Sequence, residues 1–204
     1  MLPVIVGFIL IRRLTASSLF IFFLVITGSI PQLARAYLGR TPILNVFYNI
    51  NIPIEYAAIF FFFVVNEISG FKKKMFYILA IAGPVTGLIL MLIQNGIKKV
   101  FLSQWVCINN IIFTSWILLL LLEIYEDDKR ELNNELPIFW YILGLFFYTS
   151  CTVLIFSLWG YLMKNKNTLL VNLWIIHDLF NVFMYLSFAI GFLKEKQIKK
   201  QLTY

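Results

Sequence analysis

From Phe101 to Leu122 the chain reads FLSQWVCINNIIFTSWILLLLL, 22 residues without a single charged side chain. As a helix rising about 1.5 Å per residue it would reach about 33 Å, enough to cross a hydrocarbon core of about 30 Å. A strand of a membrane barrel would instead alternate polar and apolar residues over about ten positions. This stretch is apolar almost throughout. It reads as a transmembrane helix, and it sets the class of the whole chain.

Five further stretches meet the same length test: Ser17–Leu38, Ile43–Asn66, Met75–Asn95, Pro137–Met163 and Leu169–Leu193. The leading run Met1–Ile11 is too short to cross as a straight helix. Arg12 and Arg13 follow it, the reverse of a cleavable signal peptide, whose charges come first. It reads as a seventh, abbreviated helix, either a half-span or a span whose earlier residues lie outside this chain. The expected fold is therefore all-α: a polytopic transmembrane helix bundle of six full spans plus a short N-terminal hydrophobic helix. One domain covers 1–204, with 194–204 as a basic cytoplasmic tail.

Composition agrees. The chain is 61 % hydrophobic and 13 % charged, with a mean hydropathy of +0.86, so it lacks the polar shell that a soluble domain of its length needs. The connections Arg12–Ala16, Gly39–Pro42, Glu67–Lys74, Gly96–Lys99, Glu123–Glu135 and Lys164–Thr168 are too short to hold a second domain. A net charge of +7 raises nucleic acid as a partner, but the cations come in small groups between apolar runs. They read as topology signals, with the lipid bilayer as partner and anionic headgroups at the basic tail. A membrane-protein partner or a second copy of the chain is the further expectation. Cys107 and Cys151 lie in separate apolar runs and suggest no disulfide framework.

Orientation follows from Lys and Arg counted by side. With seven helices, the odd-numbered connections and the tail carry 11 of them and the even-numbered connections 6. This places the N-terminus outside and the C-terminus in the cytoplasm of a cell membrane. Without the four tail lysines the bias falls to 7 against 6.

Ionisable groups at mid-bilayer depth cost roughly 2.5–3.5 kcal/mol on insertion scales, so they mark function or a partner. Three qualify: Glu55, His177 and Asp178. In Tyr48-Asn49-Ile50-Asn51-Ile52-Pro53-Ile54-Glu55, helical spacing sets Tyr48, Asn51 and Glu55 along one face. Pro53 leaves the Asn49 carbonyl without its helical donor. In the last span, Trp174 and Asp178 are one turn apart, as are His177 and Asn181. Each cluster reads either as an interhelical hydrogen-bond clamp or as the wall of a polar pocket. In a sequential bundle the third and seventh helices run the same way. Glu55 and Asp178 then differ in depth by only about 4–5 Å. One shared polar site is expected, its apolar walls formed by Trp174 and Tyr185, with a proton or a charged His177 between the two acids.

Other chemistries are not encoded. One histidine and two separated cysteines cannot build a zinc site of the usual ligand set, and no lysine is buried in a span to hold a retinal. No phosphate-cradling glycine loop or nucleophile elbow occurs. The expectation is a non-enzyme without cofactor or metal. Gly83 and Gly87 have the small-xxx-small spacing that permits close helix approach, with Pro84 beside them as a kink.

Two resemblances sharpen the functional expectation. Pro31-Gln32, with Arg40-Thr41 following, resembles the signature of PQ-loop transporters, which implies small-molecule transport; that family repeats the motif, and here Pro-Gln occurs once. More of the chain resembles the poorly characterised seven-helix membrane proteins of Bacteroidota, related to membrane modules of sensor histidine kinases. The matching segments are Leu2-Pro3 with Arg12-Arg13-Leu14, Asn49 with Pro53-Ile54-Glu55, and Leu173-Trp174-Ile175-Ile176-His177 with Asn181. That resemblance implies a receptor- or sensor-like module acting in signal transduction, with no kinase domain in this chain. A transporter and a non-enzymatic subunit of a membrane complex are the alternatives.

Overall fold

The computed structural model describes residues 2–39, 42–66, 70–93, 101–126, 132–164 and 169–201. Among them every long element is an α-helix: α1 (Leu2–Leu10), α2 (Ala16–Leu38), α3 (Pro42–Val65), α4 (Gly70–Ile93), α5 (Ser103–Glu126), α6 (Pro137–Lys164) and α7 (Leu169–Gln201), with a 3-10 turn over Ile11–Arg13. Six of these, α2 to α7, are long and apolar enough to cross a membrane. The nine residues of α1 reach about 13–14 Å, less than half a crossing.

Local chemistry sets the ends. The Thr15 side chain caps α2 by accepting from the Ser18 N–H at 3.4 Å. Gly39 ends it with φ +62°, a conformation glycine adopts without cost, and its N–H donates to the Arg35 carbonyl. Proline opens α3 and α6 at Pro42 and Pro137, where its missing N–H would be unbonded anyway.

The helices form a closed ring in the order α1, α2, α3, α5, α6, α7, with α4 packed outside against α5 and α3. Only 17 % of the α4 span is buried, against 39 to 50 % in the others. Trp116 of α5, wholly buried, packs with Tyr56, Phe60 and Phe63 of α3 and Phe76 of α4. Pro84 removes the donor that would bond the Ala80 carbonyl. The Tyr56 hydroxyl fills that role, donating to the Ala80 carbonyl at 3.1 Å and the Leu79 carbonyl at 3.0 Å. Gly83 and Gly87 serve rings rather than backbones: a Cβ on Gly83 would stand 2.4 Å from the Tyr56 ring, and one on Gly87 would stand 2.1 Å from the Trp105 ring.

Three boundaries differ from the sequence reading, and in each case charged residues prolong a helix. Lys72–Lys74 lie in α4, not in a connection, because Lys72 pairs with Glu123 at 3.0 Å and Glu126 at 2.5 Å. Those acids lie in the last turn of α5, so the expected solvated loop Glu123–Glu135 begins as helix. From Lys194 the chain continues as helix, α7 running to Gln201, and 202–204 lie outside the described residues. Lys194 pairs with Glu135 at 2.7 Å. Glu195, 4 % exposed, turns inward. It accepts from the Thr15 N–H at 2.7 Å and from the Ser18 hydroxyl, with the Tyr141 hydroxyl at 3.5 Å, which ties α7 to the start of α2. Cys107 and Cys151 are both free thiols.

Candidate functional site

The ring encloses a cavity of about 80 Å³ walled by α2, α3, α5, α6 and α7. At about 10–15 Å³ per water on this measure, it has room for on the order of six waters or a ligand of a few heavy atoms. It lies toward the end of the bundle where α2 and α6 finish and α3, α5 and α7 begin. Tyr48, Asn51 and Glu55 reach it from α3, and His177 and Asn181 from α7. The two helices are not among the closely packed pairs of the bundle, so these faces meet across the cavity and not by direct helix contact.

The carboxyl of Glu55 points into the bundle. The Asn51 side chain, one turn earlier, donates to its Oε1 at 2.5 Å. The Tyr185 hydroxyl and Glu55 Oε1 both crowd Gly28 on α2: a Cβ there would stand 2.9 Å from the first and 3.4 Å from the second. Tyr148 of α6 extends the wall and packs its ring on His177, with centroids 5.7 Å apart. Phe156 holds the same imidazole at 5.6 Å. His177 is 6 % exposed, and Asn181 Nδ2 lies 3.3 Å from its Nδ1. If the amide donates there, the imidazole proton sits on Nε2.

Asp178 departs from the shared site. It does not line the cavity; it pairs with Arg35 of α2 at 3.5 Å, and its side chain is 43 % exposed. Its Oδ1 is 3.8 Å from His177 Nδ1, beyond hydrogen-bond range. Asp178 thus meets a guanidinium and, at ion-pair distance, the imidazole of His177, while Glu55 is the carboxylate that lines the cavity. Asn49 also turns away. Fully buried, its Oδ1 accepts the Leu102 N–H at 3.1 Å and fixes the approach to α5. Trp174 lies on α7, but its side chain is outside the described residues.

No protein-family model matches the chain, and no curated protein and no solved structure matches it. Inference therefore rests on the cavity itself. Sequence reading missed Gly28, Asn110, Tyr148 and the Arg35–Asp178 pair, and singled out Gln32 only through the Pro31-Gln32 resemblance. Only Asn110 left a usable signal, as one of two adjacent amides in an otherwise apolar span. Asn110 is 4 % exposed and donates through Nδ2 to the Val106 carbonyl at 2.8 Å. Its Oδ1, on the cavity wall, has no hydrogen-bond partner among the described residues, and the Tyr48 hydroxyl, on the same wall, lies within the influence of Arg35.

Proposed function

We propose that the chain is a sensor-like integral membrane module that binds a small polar ligand in the cavity between α3 and α7. The observation that carries this reading is the convergence of Tyr48, Asn51 and Glu55 with His177 and Asn181 on one enclosed wall. Buried polar groups are costly unless partnered, and a cavity whose wall holds the Asn110 oxygen without a partner among the described residues is organised to receive something. The resemblance to sensor modules agrees with a receptor role. The wall residues need no chemistry beyond binding, so the module is proposed as a non-enzyme. The charge bias of the connections supports an orientation with the N-terminus outside and the C-terminus cytoplasmic. On that orientation the cavity lies in the outer half of the bilayer, suited to sampling the exterior.

Transport is the second reading, favoured by the cavity's position toward one end with the Arg35–Asp178 pair beside it. Helices broken at mid-membrane are a frequent mark of transporters. Here α2, α3 and α4 run unbroken through Pro31, Pro53 and Pro84, which supports binding over transport. The lipid-facing residues of α4, among them Ile81, Leu88 and Leu92, leave a broad apolar surface for lipid or a membrane partner.

The test is native mass spectrometry of the full chain purified in mild detergent, beside a Gly28→Leu variant whose side chain would fill the cavity. A small molecule retained by the parent and absent from the variant is the expected result. Equal retention, or none in either, would contradict a ligand site here.

A further inference from the structure

Charge, hydrogen bonding and ring placement in the cavity bear on the class of ligand. Among the described residues Glu55 is the only carboxylate on the wall, and no Lys or Arg lines it. The nearby Asp178 already faces Arg35, whereas Glu55 has one amide donor and no ion-pair partner among the described residues. A carboxylate so placed calls for a compensating positive charge or a proton.

The hydrogen-bond inventory points the same way. The Asn110 amide cannot turn round without setting its oxygen against the Val106 carbonyl, so its free atom is an acceptor. With Glu55 the wall therefore offers a carboxylate and an amide oxygen as acceptors, beside hydroxyl and amide donors such as Tyr185 and Gln32. An anion would be repelled by the Glu55 carboxylate whatever the donors around it, and an apolar guest would leave the acceptors stranded. The rest of the wall includes Tyr48, Tyr148, Tyr185, Phe101, Phe113 and Phe156, rings whose faces attract a desolvated cation. A divalent metal ion would want six or more oxygens and more carboxylate charge than this wall holds.

We infer that the cavity binds a small protonated amine, ammonium or a short alkylammonium, with Glu55 as counter-charge, Asn110 Oδ1 as hydrogen-bond acceptor and the tyrosine and phenylalanine rings as the cage. This rests on the reading that the cavity binds a small ligand and specifies which kind. The volume of about 80 Å³ limits the guest to a few heavy atoms.

Thermal unfolding of the full chain in detergent tests it, with methylammonium chloride as probe against equal concentrations of sodium chloride, and with acetamide and sodium acetate as neutral and anionic probes. Methylammonium is expected to raise the melting temperature saturably above the sodium control. The apparent affinity should fall at least tenfold in Glu55→Gln and severalfold in Asn110→Leu, which leaves the charge in place and serves if the first variant does not fold. No excess over sodium overturns the inference, as does an equal response in Glu55→Gln or in Asn110→Leu. A saturable shift with acetamide or acetate, abolished by Gly28→Leu, would reject the cation while keeping the ligand site. Silence of every probe, with a native-mass result that is also blank, would reject both.

Discussion

Glu195 shows how a single residue can be hidden by its neighbours. In Lys194-Glu195-Lys196 it reads as one more charge on a solvated run, because hydropathy averages over a window and cannot see that one side chain of a helix turns inward. In the structure its carboxylate is met by the Thr15 N–H, the Ser18 hydroxyl and the Tyr141 hydroxyl. Removing it takes the acceptor from the Thr15 N–H, while the Ser18 and Tyr141 hydroxyls keep each other at 2.8 Å; a buried donor left unpaired costs about 1–3 kcal/mol. Glu195→Ala is therefore expected to lower stability by about 1–3 kcal/mol and to lower the melting temperature in detergent. A melting temperature equal to the parent's would show that the clamp contributes nothing. Gly28 is the opposite case, a residue with no chemistry of its own. Gly28→Ala puts a methyl carbon 2.9 Å from the Tyr185 hydroxyl and 3.4 Å from Glu55, so the tyrosine must shift. The expected stability cost is about 1–3 kcal/mol, typical of overpacking. Ligand-dependent stabilisation should shrink by more than that cost explains; unchanged binding would place the ligand elsewhere.

At the scale of the helix, length and apolarity made the six spans legible, and lone polar residues within apolar runs pointed to α3 and α7. What could not be read was which way each helix faces. Helices that are apolar all round carry little periodic signal, and lipid and core look alike to them. Hence α4 could not be assigned to the outside of the ring, nor Asn49 to the α5 contact, although both lie in spans that were expected. The partner of a broken helical bond was equally invisible. Pro84 was read as a kink, but Tyr56 repairs it from another helix. Tyr56→Phe should cost about 1 kcal/mol. In a Pro84→Ala background, where the backbone bond to Ala80 is restored, the same change should cost measurably less. Additive effects of the two substitutions in thermal or denaturant unfolding would mean that the hydroxyl is not compensating for the proline.

Across the whole molecule, the Arg35–Asp178 pair stands at the cavity end, while a group of described charged residues fastens the opposite end of the bundle. Lys72 with Glu123 and Glu126, Lys194 with Glu135, and the buried Glu195 all bind neighbouring elements there. The polar groups at the other end face a space. One end is thus fastened and the other is organised around a guest, the division of labour proposed for a sensor. A reporter active only in the cytoplasm should give signal when fused after Tyr204 and none when inserted within 165–168; the reverse pattern would turn the molecule over and revive the transport reading. That α3 and α7 share one site is the central claim, and it was only half legible. Equal depth could be counted along the helices, but the bonding of Asp178 to Arg35 could not, since it depends on where α2 stands. The most direct measurement is a double-mutant cycle on Glu55→Gln and His177→Ala, read as unfolding free energy with and without methylammonium. The two side chains line one cavity together with Tyr148, whose ring packs on His177, so the account predicts a coupling energy of at least about 0.5 kcal/mol that grows with ligand. Effects that add within about 0.3 kcal/mol under both conditions would contradict it, leaving two independent helix clamps and no common site.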